Sequence, residues 1–378
     1  MEGSKSVSNL KEVSRLFLRL GLTAFGGPVV HIAMMREEVV NKLKWMSEQH
    51  FLDLIGATNL IPGPNSTEMA IHIGYERAGW KGLILAGLCF IGPAVIITGF
   101  LAWLYKSYGS LPQIQPYIYG IKPAIIAVIL GAIYPLAKKS LKSVELGVIG
   151  VLALVFTLLG YNELYIMFGG GVAVIIITAM RKTRISKSII PLLVMPSTSI
   201  GLTNITNTRL FFSFLKIGCI LYGSGYVLFA FLDSEFVAKG FLHRQQLIDA
   251  IAVGQFTPGP LFSSVTFVGY QMNGIHGAIL ATVGIFLPSF LFVAFLNPLI
   301  LKLRESDIFS SFLDAVNIAS VAIIAAVCYN IGRESITDWG SMLIAIISLA
   351  VVFIYNKLNS AWIILGGAVA GYLLIYIV

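Results

Sequence analysis

The chain has 378 residues, of which 57% are hydrophobic and only 12% charged, against about 25% charged in ordinary soluble domains. With a mean hydropathy of +0.86, that composition excludes a soluble enzyme on a membrane tail, a nucleic-acid binder and a disordered scaffold. The net charge of +8 sets topology and attracts anionic lipid headgroups, and nucleic acid is not implied.

In chain order, apolar runs bounded by charge, Pro or Gly fall near 16–35, 51–75, 80–105, 113–137, 144–160 and 162–180. The first run is interrupted by polar residues and lacks an Ala-x-Ala pattern, so no cleavable signal peptide is expected. A solvated cytoplasmic linker follows, introduced by Arg181, Lys182, Arg184 and Lys187 and rich in Ser, Thr, Asn and Pro. Six more runs lie near 210–232, 246–271, 276–300, 308–331, 339–355 and 361–378. The expected fold is therefore an all-α polytopic membrane protein, with repeats over 1–187 and 210–378 joined by a linker over 188–209. Cys89, Cys219 and Cys328 lie in apolar runs without metal or disulfide spacing, and read as buried thiols.

The two groups of runs repeat residue by residue. Phe17-Leu18-Arg19-Leu20-Gly21 matches Phe214-Leu215-Lys216-Ile217-Gly218, and Phe25-Gly26-Gly27 matches Tyr222-Gly223-Ser224, at an offset of 197. Asp53 matches Asp249 and Pro62-Gly63-Pro64 matches Pro258-Gly259-Pro260 at 196, while Gly74, Gly79, Gly82 and Pro93 match Gly269, Gly274, Gly277 and Pro288 at 195. Two single-residue gaps thus align the halves, as in a duplicated transporter. Each Pro-Gly-Pro splits its run into pieces too short to span alone, so it either re-enters or kinks a crossing. Re-entry gives five crossings per half and inverted halves, which the loop Lys and Arg favour over six parallel crossings.

Irregular backbone at membrane depth needs burial in protein or a wet cavity, because unpaired amides cost several kcal/mol in hydrocarbon. After Pro62-Gly63-Pro64, the amides of Asn65 and Ser66 and the hydroxyls of Ser66 and Thr67 stand at a positive helix end. Thr257, Gly259, Ser263 and Ser264 repeat the arrangement. Such ends suit oxyanions. Gly26 and Gly27, with Ser224 as counterpart, form a second break that either brings another helix end to the same place or serves close helix packing. Arg19 and Lys216, each inside an apolar run, either neutralise a dianion between the halves or snorkel to an interface. Glu68 is the one acid directly after a break, a candidate for proton coupling if it is not simply capping a helix or pairing with Arg19. Asp53 and Asp249 suit fixing the first half-helix, and His31 and His72 suit packing.

The combination of Phe25-Gly26-Gly27-Pro28, Pro62-Gly63-Pro64-Asn65-Ser66 and Gln255-Phe256-Thr257-Pro258-Gly259-Pro260 in a duplicated chain resembles the chromate ion transporter family in its long two-domain form. The likeness covers nearly the whole chain and departs from the pattern at Ser224 and Gly225, where Gly-Pro would be expected. It implies inverted halves and export of chromate, a tetrahedral dianion isosteric with sulfate, across the inner (plasma) membrane. Sulfate or another tetrahedral oxyanion remains an alternative cargo, and an intramembrane enzyme acting on lipid phosphate is a rival class. Against the rival, no paired carboxylates or Ser/His/Asp set stand near the breaks. No Walker A pattern is present, so the energy would come from the membrane potential or a proton gradient. No cofactor or metal is expected; the partners are the oxyanion and the bilayer, with a homodimer left open.

Overall fold

The computed structural model describes residues 2–109, 111–182, 205–304, 306–355 and 358–377, and among these every regular element is helical. The expected linker over 188–209 lies mostly outside the described residues. In the first half, α1 (Glu2–Thr23) is followed by α2 (Pro28–Arg36), which continues as a π turn over Glu37–Lys42. Then come α3 (Glu48–Thr58), α4 (Asn65–Tyr108), α5 (Gln115–Ser140), α6 (Val144–Leu158) and α7 (Glu163–Lys182). The second half repeats the series with α8 (Asn207–Ile220), α9 (Val227–Leu232) and its π turn Asp233–Val237, α10 (Arg244–Phe256), α11 (Ser264–Arg304), α12 (Asp307–Ser335), α13 (Trp339–Ile354) and α14 (Ser360–Ile377).

The apolar run 16–35 is not one helix. Ala24 to Gly27 interrupt it, and Arg19 pairs with Glu38 across the turn, although a continuous helix would hold them roughly 28 Å apart. Nor is α4 one rod. Ala78 and Gly79 leave helical geometry, Gly79 at φ +61°, and Asn273 with Gly274 at φ +60° does the same in α11. Glycine adopts that conformation without a Cβ clash. Small residues then let the two arms touch: a Cβ on Gly74 would fall 2.4 Å from the Gly82 carbonyl oxygen, and one on Gly269 would fall 2.3 Å from that of Gly277.

Contacts at the ends of these arms fix how the halves are related. His50 at the start of α3 lies 3.7 Å from Glu76 at the end of the first arm of α4, so the chain on either side of Pro62-Gly63-Pro64 leaves by the same face. The second arm of α4, residues 80–108, then runs roughly 43 Å to the other face, ample for about 30 Å of hydrocarbon. There Tyr105 donates to Asp249 in α10 at 2.6 Å, and Gln271, at the end of the first arm of α11, donates to the Ala102 carbonyl at 3.1 Å. The second Pro-Gly-Pro hairpin therefore enters from the opposite face to the first, and the repeats are inverted.

Packing sorts the helices into two bodies. A core contains α1–α4 and α8–α11, in which α1 packs on α4, α8 on α11, and α4 on α11. A flanking bundle is built around α5 and α12, with α6 and α7 on α12 and α13 and α14 on α5. Each half thus lends its last two helices to the other half's central one. Ser143 and Asp338, at equivalent positions, cap α6 and α13 through the amides of Leu146 and Ser341. Among the described residues four helices, within α4, α5, α11 and α12, are long and apolar enough to cross a membrane, and the protein is a multi-pass membrane protein.

Candidate functional site

At the centre of the core the two Pro-Gly-Pro tips exchange backbone hydrogen bonds with the other half's first break. Gly63 N–H donates to the Leu221 carbonyl at 2.8 Å, and Gly259 N–H donates to the Ala24 carbonyl at 2.8 Å. Ala24 and Leu221 are themselves equivalent, so the exchange follows the internal two-fold. Both glycines are at positive φ, +140° and +89°, where a side chain is strained. A Cβ on Gly63 would meet Glu68 Oε1 at 2.3 Å, and one on Gly259 would meet Ala94 Cβ at 2.9 Å.

A cavity of about 300 Å³ lies where this centre meets the bundle, lined by Asn59 and Asn65 of the first Pro-Gly-Pro hairpin, Gly223 and Ser224 of the second half's first break, and bundle residues including Lys139 and Asn317. Its other bundle residues come from the end of α5 and the first half of α12, so it opens toward the face by which α3 enters. Asn65 is the first residue of α4, whose N-terminus has Pro64 at the cap position and no side-chain cap. Its leading amides, with the positive end of the helix dipole, are thus available to a ligand. The Asn65 amide donates to Asn59 Oδ1 at 2.7 Å. Lys142 is neutralised by Asp314 at 2.7 Å, whereas Lys139 has no ion-pair partner among the described residues. A half-open cavity with a lysine, three asparagines, hydroxyls and a helix N-terminus can hold a small oxyanion through directed N–H and O–H donors.

Of the residues singled out in the sequence, Asn65 and Ser224 are brought together in this cavity. Ser66, Thr67 and Glu68 are buried just behind it. Glu68 Oε1 accepts from Ser289 Oγ at 3.2 Å, while Glu68 Oε2 and the Thr67 hydroxyl have no partner. Ser263 contacts the Thr98 hydroxyl at 3.4 Å, Thr257 donates to the Gly254 carbonyl at 3.4 Å, and Ser264 Oγ is unpartnered; all three are buried away from the cavity. Gly26 and Gly27 are half-buried beside the second Pro-Gly-Pro tip and do not line it.

Arg19 and Lys216 stand elsewhere. Arg19, 55% exposed, pairs with Glu38, which also holds Lys42 at 2.9 Å. Lys216, 42% exposed, pairs with Glu235 at 2.5 Å, which also holds Lys239 at 2.8 Å. Each cation clasps its own folded-back hairpin, because the turn after it returns a carboxylate, and neither lies between the halves. Burial raises the Glu38 and Glu235 carboxyls, but the hydrogen bonds and charges of these cations outweigh it and hold both below the usual range. Nor does Glu68 pair with Arg19. His31 packs edge-on against Phe90 at 5.6 Å. Sequence reasoning missed Asn59, Asn317 and Lys139. For Asn59 a signal existed: a carboxamide stands three residues before each Pro-Gly-Pro, Asn59 in one half and Gln255 in the other.

The family described as chromate transporter matches residues 11–176 and again 208–372. A probable chromate transport protein of Synechococcus elongatus is 29% identical, over 96% of this chain and 95% of its own length. A chromate transport protein of Cupriavidus metallidurans is also 29% identical, over 96% and 92%. An uncharacterized transporter of Methanocaldococcus jannaschii is 28% identical, over 95% and 93%. No solved structure matches the chain.

Proposed function

Because the chain belongs to the chromate transporter family, we propose that this membrane transporter carries a tetrahedral oxyanion, chromate, out across the inner membrane by alternating access. The observation that carries the reading is the meeting of Asn65 and Ser224, from the broken segments of opposite halves, in one cavity with Lys139. In this reading the paired hairpins are re-entrant, their irregular backbone being tolerated because it is buried between the halves. The anion enters from the open face, exchanges water for the donors of Asn59, Asn65, Asn317 and Ser224, and is balanced by Lys139. Ser66, Thr67, Gly63, Thr257, Gly259, Ser263 and Ser264 shape the seam behind it, and Gly26 and Gly27 belong to the opposite exit.

Export of a dianion from a cell that is negative inside is favoured by about 4.6 kcal/mol at 100 mV. The potential alone can therefore drive the cycle, and Glu68 adds proton coupling by taking up and releasing a proton beside the path. Chromate uptake into inside-out vesicles, driven by a potential positive inside and competed by sulfate, tests the reading. Saturable uptake that falls with Asn65→Leu and Ser224→Val at unchanged protein level is expected. Uptake no greater than in vesicles lacking the protein would refute it.

A further inference from the structure

The bundle sits on the core unevenly. Among the described residues its main contacts with the core run through α9, α10 and α11, all from the second half: α9 and α11 against α12, and α10 against α5 and α14. The symmetry-related contacts of α2 and α4 with α5, and of α3 with α12 and α7, have no comparable extent among the described residues. The two carboxamides before the breaks report the same difference. Gln255 is buried, donating to the Tyr226 hydroxyl at 3.0 Å and accepting from Ser360, the first residue of α14, at 2.9 Å. Its counterpart Asn59 lines the open cavity instead.

Glu163, the counterpart of Ser360, opens α7. The equivalence is marked by identical caps one residue earlier, with Asn162 Oδ1 accepting from the Leu164 amide and Asn359 Oδ1 from the Ala361 amide, both at 3.0 Å. Yet Glu163 does not approach Asn59. It is buried within reach of Ser234 and the charges of Asp233 and Glu235, with one carboxylate oxygen unpartnered. The same helix start therefore occupies two different places in the two halves.

An inverted repeat with one side docked and the other open has a second arrangement of comparable contacts, reached when the halves trade conformations. Resting on the carrier reading, we propose that the bundle tilts about α5 and α12 to release α10 and seat on α3. Glu163 then leaves the Asp233–Glu235 turn and reaches Asn59, Ser360 leaves Gln255, and the present cavity closes. A second oxyanion mouth, closed in this structure, opens on the other face between Gln255, Gly26, Gly27 and Lys122. Lys122 is the counterpart of Asn317 and already acts electrostatically on Asp249, so release of α10 frees a cation at the new mouth.

The test uses full-length chain in membranes with Cys89, Cys219 and Cys328 replaced, and a short bismaleimide read by peptide mass spectrometry, without chromate. The pair Gln255→Cys with Ser360→Cys is expected to link, reporting the arrangement seen here and that the chain has folded. Asn59→Cys with Glu163→Cys is also expected to link. Labelling of a third cysteine, Ser224→Cys, by an impermeant maleimide is expected to persist in the first linked form and to be lost in the second. Linkage of the first pair without the second, or labelling of Ser224→Cys unaffected by the second linkage, overturns the proposal. Both linkages, where the unsubstituted chain itself moves no chromate, uphold the exchange and refute the chromate reading alone.

Discussion

The two Pro-Gly-Pro breaks have the same backbone plan and opposite surroundings. At the first, α4 begins directly with an uncapped turn at Asn65, and the amide side chains of Asn59 and Asn65 face an open cavity. At the second, a short 3₁₀ turn over Leu261–Ser263 precedes α11, Leu261 is buried, and Gln255 is satisfied on both sides by Tyr226 and Ser360. Duplication thus supplied two helix ends, of which one is wet and the other sealed in this structure. In hydrocarbon a sealed break must satisfy its polar atoms within the protein, whereas a wet one can leave them for a ligand.

The sharpest way to break this comparison is at the glycines, where the plan is shared but the room is not. Gly63→Ala adds positive-φ strain and a clash with the Glu68 carboxylate and Ser289, together on the order of 3 kcal/mol. Gly259→Ala adds positive-φ strain too, but its one close clash is with Ala94 Cβ at 2.9 Å, the Gly21 carbonyl oxygen lying at 3.4 Å, and it is expected to lose on the order of 2 kcal/mol. Thermal unfolding in detergent, followed by size-exclusion fluorescence, should rank Gly63→Ala below Gly259→Ala and both below the parent chain. Equal tolerance of both would mean the tips do not cross the seam as described.

Exchange of polarity between the breaks comes next. Asn65→Leu gives the first break the residue of the second, removes a donor from the cavity, and is expected to weaken half-saturation for chromate about tenfold, or about 1.4 kcal/mol, at normal protein level. The reciprocal Leu261→Asn buries an unpartnered amide, so it should lower protein level by destabilising the fold, about 1–3 kcal/mol, while half-saturation holds. If both substitutions alter half-saturation alike, the two breaks are equally wet and the asymmetry of the cavity carries no functional weight.

Those outcomes bear on what the sequence could tell. The duplication and the positions of the breaks were legible because Pro and Gly act locally, through φ and a missing N–H. The reversals at Ala78–Gly79 and Asn273–Gly274 carried a weaker signal: Gly79 and Gly274 were visible as repeats, but only the contact of Gly74 with Gly82 reveals a hairpin. Arg19 and Lys216 looked like intramembrane charges because Glu38 and Glu235 lie 19 residues away in sequence. Their pairing depends on a chain reversal that hydropathy does not encode. Lys139 and Asn317 come from the bundle, and no local pattern links them to a break in the core.

A smaller effect separates the acid from its neutral counterparts. Glu68 donates no geometry that a carboxamide would lack, since Gln retains the oxygen that accepts from Ser289 and the other oxygen has no partner. Glu68→Gln is therefore expected to keep protein level and to change flux at a fixed pH by less than about threefold, under 1 kcal/mol. The dependence of flux on an imposed pH gradient should disappear. Ser263→Ala, at the equivalent place in the other half, removes a 3.4 Å hydroxyl contact, and should leave that dependence intact. Persistence of the gradient response in Glu68→Gln would take the proton out of the first break.

The least effect is expected at the two cations that attract most notice in the sequence. Arg19 and Lys216 are largely solvated ion-pair partners, and such pairs contribute roughly 0.2–1 kcal/mol. Lys42 and Lys239 remain to neutralise Glu38 and Glu235 when either is removed. Arg19→Ala and Lys216→Ala should thus shift unfolding slightly, more so at low salt than at high salt because exposed charges are screened, and should leave chromate half-saturation within about twofold. A loss of tenfold or more in half-saturation at normal protein level would put the clasp residues on the anion's path. It would also mean that the hairpins α1–α2 and α8–α9 open during transport, since only then do these side chains leave their carboxylates.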